Sequence, residues 1–222
     1  MAVKPKDSSI YRLYQQAGWL AWITIYYNLL EGGVSVFFGI QDETLSLFGF
    51  GLDSFVEVVS GIGVWHMVRR LRQSTDGNPD RFEQRALKIT GTAFYVLTVG
   101  LTLSALYNIY SGHRPETTFW GIVISLISIG SMWALIHFKV KVGKALNSQA
   151  ILADAGCTRT CMVLSGVLLA ASLVYELTGF GWADSLGSIF IAWLSFREGR
   201  EAFQKAAGLG CGCGCCCEKA KA

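Results

Sequence analysis

Four side chains have the types and spacing of a metal site. Asp53 and Glu57 stand four residues apart in LFGFGLDSFVEVVSG (47–61), and Cys157 and Cys161 repeat that spacing in ILADAGCTRTC (151–161). On a helix the i, i+4 spacing sets both members of a pair on one face, one turn apart. Two helices that each offer such a pair can close four donors around one ion. The two carboxylates repel each other unless a proton or a cation neutralises the pair, so an arriving metal ion displaces protons, and arriving protons displace metal. The competing reading is a pair of protonated, hydrogen-bonded acids in a helix interface, with the two cysteines serving as small packing residues.

The elements that must carry these residues are membrane helices. The chain has 222 residues, of which 52% are hydrophobic and 16% charged, with a mean hydropathy of +0.40 and 25 glycines, too apolar for an ordinary soluble domain. Apolar runs on the order of 20 residues, enough to cross a bilayer, lie near 17–40, 44–68, 86–110, 117–138, 149–177 and 179–196, the last one short. Short polar stretches with turn residues or charge clusters separate them. The expected fold is therefore all-α, a polytopic six-transmembrane-helix bundle. The second helix would run inward and the fifth outward, levelling Asp53 with Cys161 and Glu57 with Cys157, both pairs near the middle of their spans.

Basic residues orient the bundle. With both termini in the cytoplasm, inner segments hold 17 of the 19 Lys and Arg residues, leaving only Arg114 outside and Arg159 within a span. The first apolar run exceeds the roughly 7–15 residues of a signal h-region, so it stays as a helix. The expected organisation is a cytosolic N-terminal segment (1–16), the transmembrane domain (17–200) and a cytosolic cysteine-rich tail (201–222), in the cell (inner) membrane.

Further ionisable residues fall inside the spans, where an ionised side chain costs at least ~2.5–3.5 kcal/mol and is expected to face the bundle interior. Glu31, beside Gly32 and Gly33, would pair with Arg159 or relay protons, the glycines allowing close helix approach. Arg159 could offset surplus negative charge at the site. Asp154 could line a path from the cytosol or bond a neighbouring helix. Glu176 and Asp184 are expected at the wet outer edge. The tail, CGCGCCCEKAKA, places Cys211, Cys213, Cys215, Cys216 and Cys217 on the reducing side, where soft-metal binding is favoured over disulfides, with palmitoylation as the rival reading. A flexible segment of about 14 residues reaches roughly 20 Å, enough to return to the mouth of the bundle.

At these motifs the chain resembles the cation diffusion facilitator (cation efflux) family, whose transmembrane domain has six helices with both ends in the cytosol. Members show an Asp-x-x-x-Asp pair on the second helix, and on the fifth an Ala-Asp-Ala-type run followed by His-x-x-x-Asp. LDSFVEVVSG is similar to the first motif through Asp53 and Glu57. ILADAGCTRTC is similar to the second, with Asp154 in the leading run and Cys157 and Cys161 at the ligand positions. WADSLGSIFIAW resembles the start of the family's sixth helix. Glu57, Cys157 and Cys161 depart from the commonest ligand set, and sulfur favours softer ions such as Cd²⁺, Hg²⁺ or Cu⁺, although Zn²⁺ also accepts thiolates. The chain ends where most members continue into a cytosolic α/β domain that supports a homodimer, so a homodimer rests here on helix contacts alone.

The resemblance implies a secondary transporter that exports a divalent or soft metal ion, Zn²⁺, Cd²⁺ or softer, in exchange for protons. No nucleotide-binding loop, organic cofactor, nucleic-acid partner or enzymatic activity is expected. The rival class is a non-transporting membrane metal or redox sensor working through the tail. A thiol oxidoreductase is disfavoured, because cysteines four apart on a straight helix do not easily reach disulfide geometry.

Overall fold

The computed structural model describes residues 8–73, 81–112, 114–115, 117–146 and 149–207. The side chains of Asp154 and Cys157, and all five tail cysteines, lie outside the described residues. Among the described residues six helices follow one another: α1 (Ser8–Gln41), α2 (Leu45–Gln73), α3 (Arg81–Ser111), α4 (Phe119–Ala145), α5 (Gln149–Thr178) and α6 (Ala183–Ala206). Consecutive helices joined by connections this short run antiparallel, so the start of α1 and the end of α6 share one end of the bundle, called here the terminal end.

Among the described residues, five helices are long and apolar enough to cross a membrane, with apolar segments at Arg12–Gln41, Leu45–Gly63, Leu87–Ser111, Phe119–Ala145 and Thr158–Thr178. Helix α6 has 24 residues, about 36 Å at 1.5 Å per residue, but serines and charged residues dilute its hydropathy. Large apolar side chains such as Val96, Leu103, Ile127 and Trp133 point outward and are exposed, as expected of helices whose outer face meets lipid rather than water.

Helix α2 sits centrally, against α1, α3, α5 and α6, while α3 pairs with α6 and α4 with α5. The largest buried cluster joins Leu47 and Phe50 of α2 to Leu97 and Leu101 of α3, Ile124 of α4, Leu164 and Leu168 of α5, and Ile191 and Leu194 of α6. The α1–α2 contact is the most extensive, and glycines bring the two backbones together. A Cβ on Gly39 would lie 2.6 Å from the Phe48 backbone nitrogen, one on Gly51 2.8 Å from that of Val36, and one on Gly32 3.0 Å from the Gly51 carbonyl oxygen. Gly33, by contrast, has open space around it. Of the two glycines expected to permit close approach, only Gly32 does so. Helix α1 meets α2 along the face that carries Asn28, Gly32, Ser35 and Gly39, at i, i+4, i+7 and i+11.

The α1–α2 connection is equally tight. Glu43 adopts φ 55°, its N–H reaches the Ile40 carbonyl at 3.4 Å, and the Thr44 N–H reaches that of Gly39 at 2.9 Å, closing α1 as a Schellman motif. The first N–H groups of α2 are then satisfied from α6. Asp184 accepts from the backbone N–H of Leu45 at 2.8 Å and of Ser46 at 3.0 Å, and also from the Ser46 hydroxyl. Asp184 is 2% exposed. This corrects its expected place at a wet edge, since a carboxylate at a helix N-terminus is stabilised by the orphan N–H groups and the helix dipole there. Glu176 is exposed, as expected of an edge residue, and serves the start of α4 by accepting from the Thr118 N–H at 2.6 Å and the Thr117 hydroxyl at 2.9 Å.

Candidate metal centre

Close packing of α1 on α2, with α5 also against α2, gathers polar side chains around Glu57. The Asn28 amide of α1 donates Nδ2–H to Glu57 Oε2 at 2.9 Å, and the Cys161 thiol of α5 donates to Glu57 Oε1. Cys161 is a buried thiol, outside any disulfide. An oxygen donor and a sulfur donor, 104 residues apart in sequence, are thus in direct contact through a single proton. Displacing that proton leaves a carboxylate and a thiolate, both metal ligands.

Asp53, one turn from Glu57, is 2% exposed and turns toward α6, where Ser195 Oγ donates to its Oδ1 at 3.3 Å. Glu198, one turn beyond Ser195, is close enough to interact electrostatically with both Asp53 and Glu57. On the α1 side, Glu31 accepts from Tyr27 Oη at 2.9 Å and from Ser54 Oγ at 3.4 Å. Carboxylates from three helices therefore face one interior region, steadied by hydroxyls and an amide. Among the described residues no three His, Cys, Asp or Glu side chains gather tightly enough to enclose an ion. Asp53 is held by Ser195, and the Cys157 side chain lies outside the described residues.

Three expectations change here. First, the register between α2 and α5 differs by a turn, for it is Glu57, not Asp53, that meets Cys161. Second, Glu31 finds hydroxyl partners instead of Arg159, whose side chain is exposed on α5. The face of α5 turned inward carries Thr158 and Cys161, and Arg159 lies a third of a turn away from Thr158. Third, Lys139, counted among the charges of an inner segment, is 1% exposed and donates to Thr158 Oγ1 at 2.9 Å across the α4–α5 interface. Ser128 and Ser165 share a hydrogen bond of 2.8 Å farther along the same interface.

Sequence reasoning missed Asn28, Tyr27, Ser195 and Glu198. Asn28 was visible as an amide one turn before Glu31 and Gly32 in an apolar run. Glu198 lay just past the expected end of the last span, and its reach toward Asp53 follows from how far the α6 helix continues.

The sequence matches the cation efflux transmembrane domain over residues 21–208. Among curated proteins it is 23% identical over 181 residues to Transmembrane protein 163 of Xenopus laevis, covering 81% of this chain and 62% of that protein. It is 26% identical over 190 residues to the manganese efflux system protein MneP of Bacillus subtilis, covering 80% and 63%. To the cation-efflux pump FieF of Pectobacterium carotovorum it is 26% identical over 184 residues, covering 77% and 59%. The matched region spans about three fifths of the length of these relatives. A bundle of membrane-length helices, matched over residues 21–208 by one domain, identifies the chain as a member of the cation efflux family, carrying its transmembrane domain.

Proposed function

We propose that this chain is a secondary-active transporter that exports a divalent or soft heavy-metal ion, Zn²⁺ or Cd²⁺ or a softer one, by exchange for protons. The observation that carries the reading is the Glu57–Cys161 contact, which joins α2 to α5 through the two positions that the motifs single out. Asp53, Glu57, Cys157 and Cys161 form the transport site. An ion moving between them takes the place of the thiol proton, and the returning proton releases it. Loading asks Asp53 to exchange the 3.3 Å bond to Ser195 for the ion, a small loss set against a charged ligand contact.

The relatives' names support metal transport, manganese in one case and cations in the other. Thiolate ligands here favour a softer ion than manganese. The excess of Lys and Arg at the terminal end supports an orientation with both termini in the cytoplasm of a cell (inner) membrane. On that side Cys211, Cys213, Cys215, Cys216 and Cys217 serve as an auxiliary metal binder, Asp154 lies one turn before Thr158 along the path to the site, and a homodimer assembles through helix contacts.

Proteoliposomes holding a metal-sensitive dye test the reading. An imposed pH gradient drives accumulation of Zn²⁺ or Cd²⁺ against its own gradient, and collapsing it with a protonophore abolishes that accumulation. A sensor would bind metal and move none, and flux indifferent to the pH gradient would remove proton exchange from the account.

A further inference from the structure

Asn28 stands near the middle of the apolar segment Arg12–Gln41 of α1 and is 1% exposed. Its two polar atoms are treated differently. Nδ2 donates to Glu57 Oε2 at 2.9 Å, while Oδ1 is fully buried and without a hydrogen-bond partner among the described residues. A buried carbonyl left unpaired is unfavourable and calls for an explanation. The two ends of an amide share one carbon, so the unpaired oxygen lies beside the carboxylate that its own nitrogen holds. Helix α1 brings it there by the glycine-lined contact with α2, since Asn28, Gly32 and Gly39 occupy one face. Cys161 occupies Oε1 of Glu57, while Ser54 bonds Glu31 and the Phe50 carbonyl and Tyr27 bonds Glu31.

We propose that Asn28 is a fifth group of the transport site, fixing Glu57 through Nδ2 and presenting Oδ1 as a neutral oxygen ligand to the ion. The proposal rests on the reading of Glu57 and Cys161 as ligands. An amide oxygen adds a hard donor without adding charge, so it favours oxygen-seeking ions relative to thiophilic ones. It widens the range of a site whose cysteines alone would select Cd²⁺. Helix α1 thereby becomes part of the ion pathway, not only scaffolding for α2.

The test uses reconstituted full-length protein and three metals separately, Mn²⁺, Zn²⁺ and Cd²⁺, with KM and maximal rate measured for wild type, Asn28→Ala, Asn28→Asp and Glu57→Ala. Asn28→Ala is expected to raise KM by about 10–100-fold, most for Mn²⁺ and least for Cd²⁺. Asn28→Asp, which keeps an oxygen at the same place, recovers part of the Mn²⁺ affinity. Equilibrium binding in detergent gives the same order of metals for any variant too slow to assay. A wild-type order and affinity in Asn28→Ala overturns the proposal, as does a fall in maximal rate with every KM unchanged, since both assign Asn28 to packing alone. Transport by Glu57→Ala at the wild-type rate would instead overturn the site reading on which the proposal stands.

Discussion

Substituting Gly51 by alanine tests the claim that glycine packing of α1 on α2 sets the site. The added methyl carbon would lie 2.8 Å from the Val36 backbone nitrogen, 2.9 Å from Ser35 Cβ and 2.9 Å from Val36 Cγ2. Comfortable separation is about 3.5–4.0 Å, so the helices must part by roughly 1 Å. Two of the three opposing atoms are backbone or Cβ and cannot rotate aside. The Ser54–Glu31 bond, already 3.4 Å, is lost at that displacement, and the 2.9 Å Asn28–Glu57 bond lengthens beyond useful range. Overpacking of this kind costs about 1–3 kcal/mol. The helix propensity gained by exchanging Gly for Ala returns at most ~1 kcal/mol, so the net effect is destabilising. Gly33→Ala is the internal control, because nothing lies within 4 Å of its added methyl and only the propensity gain applies. Thermal unfolding in detergent should place Gly51→Ala below wild type and Gly33→Ala at or above it. Zn²⁺ transport in proteoliposomes should show a raised KM in the first alone. If the two variants behave alike, close glycine contact is not what positions Glu57.

Further outcomes follow from other contacts. Asp184→Ala leaves the Leu45 and Ser46 N–H groups and the Ser46 hydroxyl without their buried acceptor, a loss of about 1–3 kcal/mol, to be read as a lower unfolding temperature; an unchanged midpoint would remove this cap from the fold. Cys161→Asp, which makes the described ligands all oxygen, should lower Cd²⁺ transport and raise the Mn²⁺-to-Cd²⁺ ratio in competition assays. Lys139→Ala removes a buried cation and its 2.9 Å bond to Thr158, so it should destabilise the α4–α5 pair by about 1–3 kcal/mol in the same unfolding assay. Deleting residues 211–222 should weaken transport at low cytoplasmic metal while leaving the maximal rate near wild type, measured as KM against maximal rate. Equal curves with and without the tail would detach it from transport.

How much was legible in the sequence depended on which force decided each feature. The helices were visible because hydropathy is a sum along the chain that does not need tertiary knowledge, and each apolar run overlaps one helix, the last starting four residues before α6. The i, i+4 pairs were visible for the same local reason, since helical periodicity alone puts Asp53 beside Glu57. Which donor on α2 meets which on α5 is a matter of register between helices, set by steric fit at glycines and serines, and spacing along one chain does not encode it. Hence Glu57 took the place assigned to Asp53. The roles of Asp184 and Lys139 were hidden because each depends on a partner from another helix: the orphan N–H groups of α2 for one, the Thr158 hydroxyl for the other. A charge near a span end looks solvated until the neighbour that buries it is known. Arg159 shows the reverse case, a charge inside an apolar run whose helix turns it outward.

The central claim is that Glu57 and Cys161 hold the transported ion between them. Metal flux into proteoliposomes, measured for Glu57→Ala and Cys161→Ala beside the wild type over Mn²⁺, Zn²⁺ and Cd²⁺, tests it most directly. The account predicts that Glu57→Ala loses flux of every ion and that Cys161→Ala loses Cd²⁺ flux most. Wild-type rates and the wild-type order of ions in both variants, with protein that unfolds at the wild-type temperature, would contradict it.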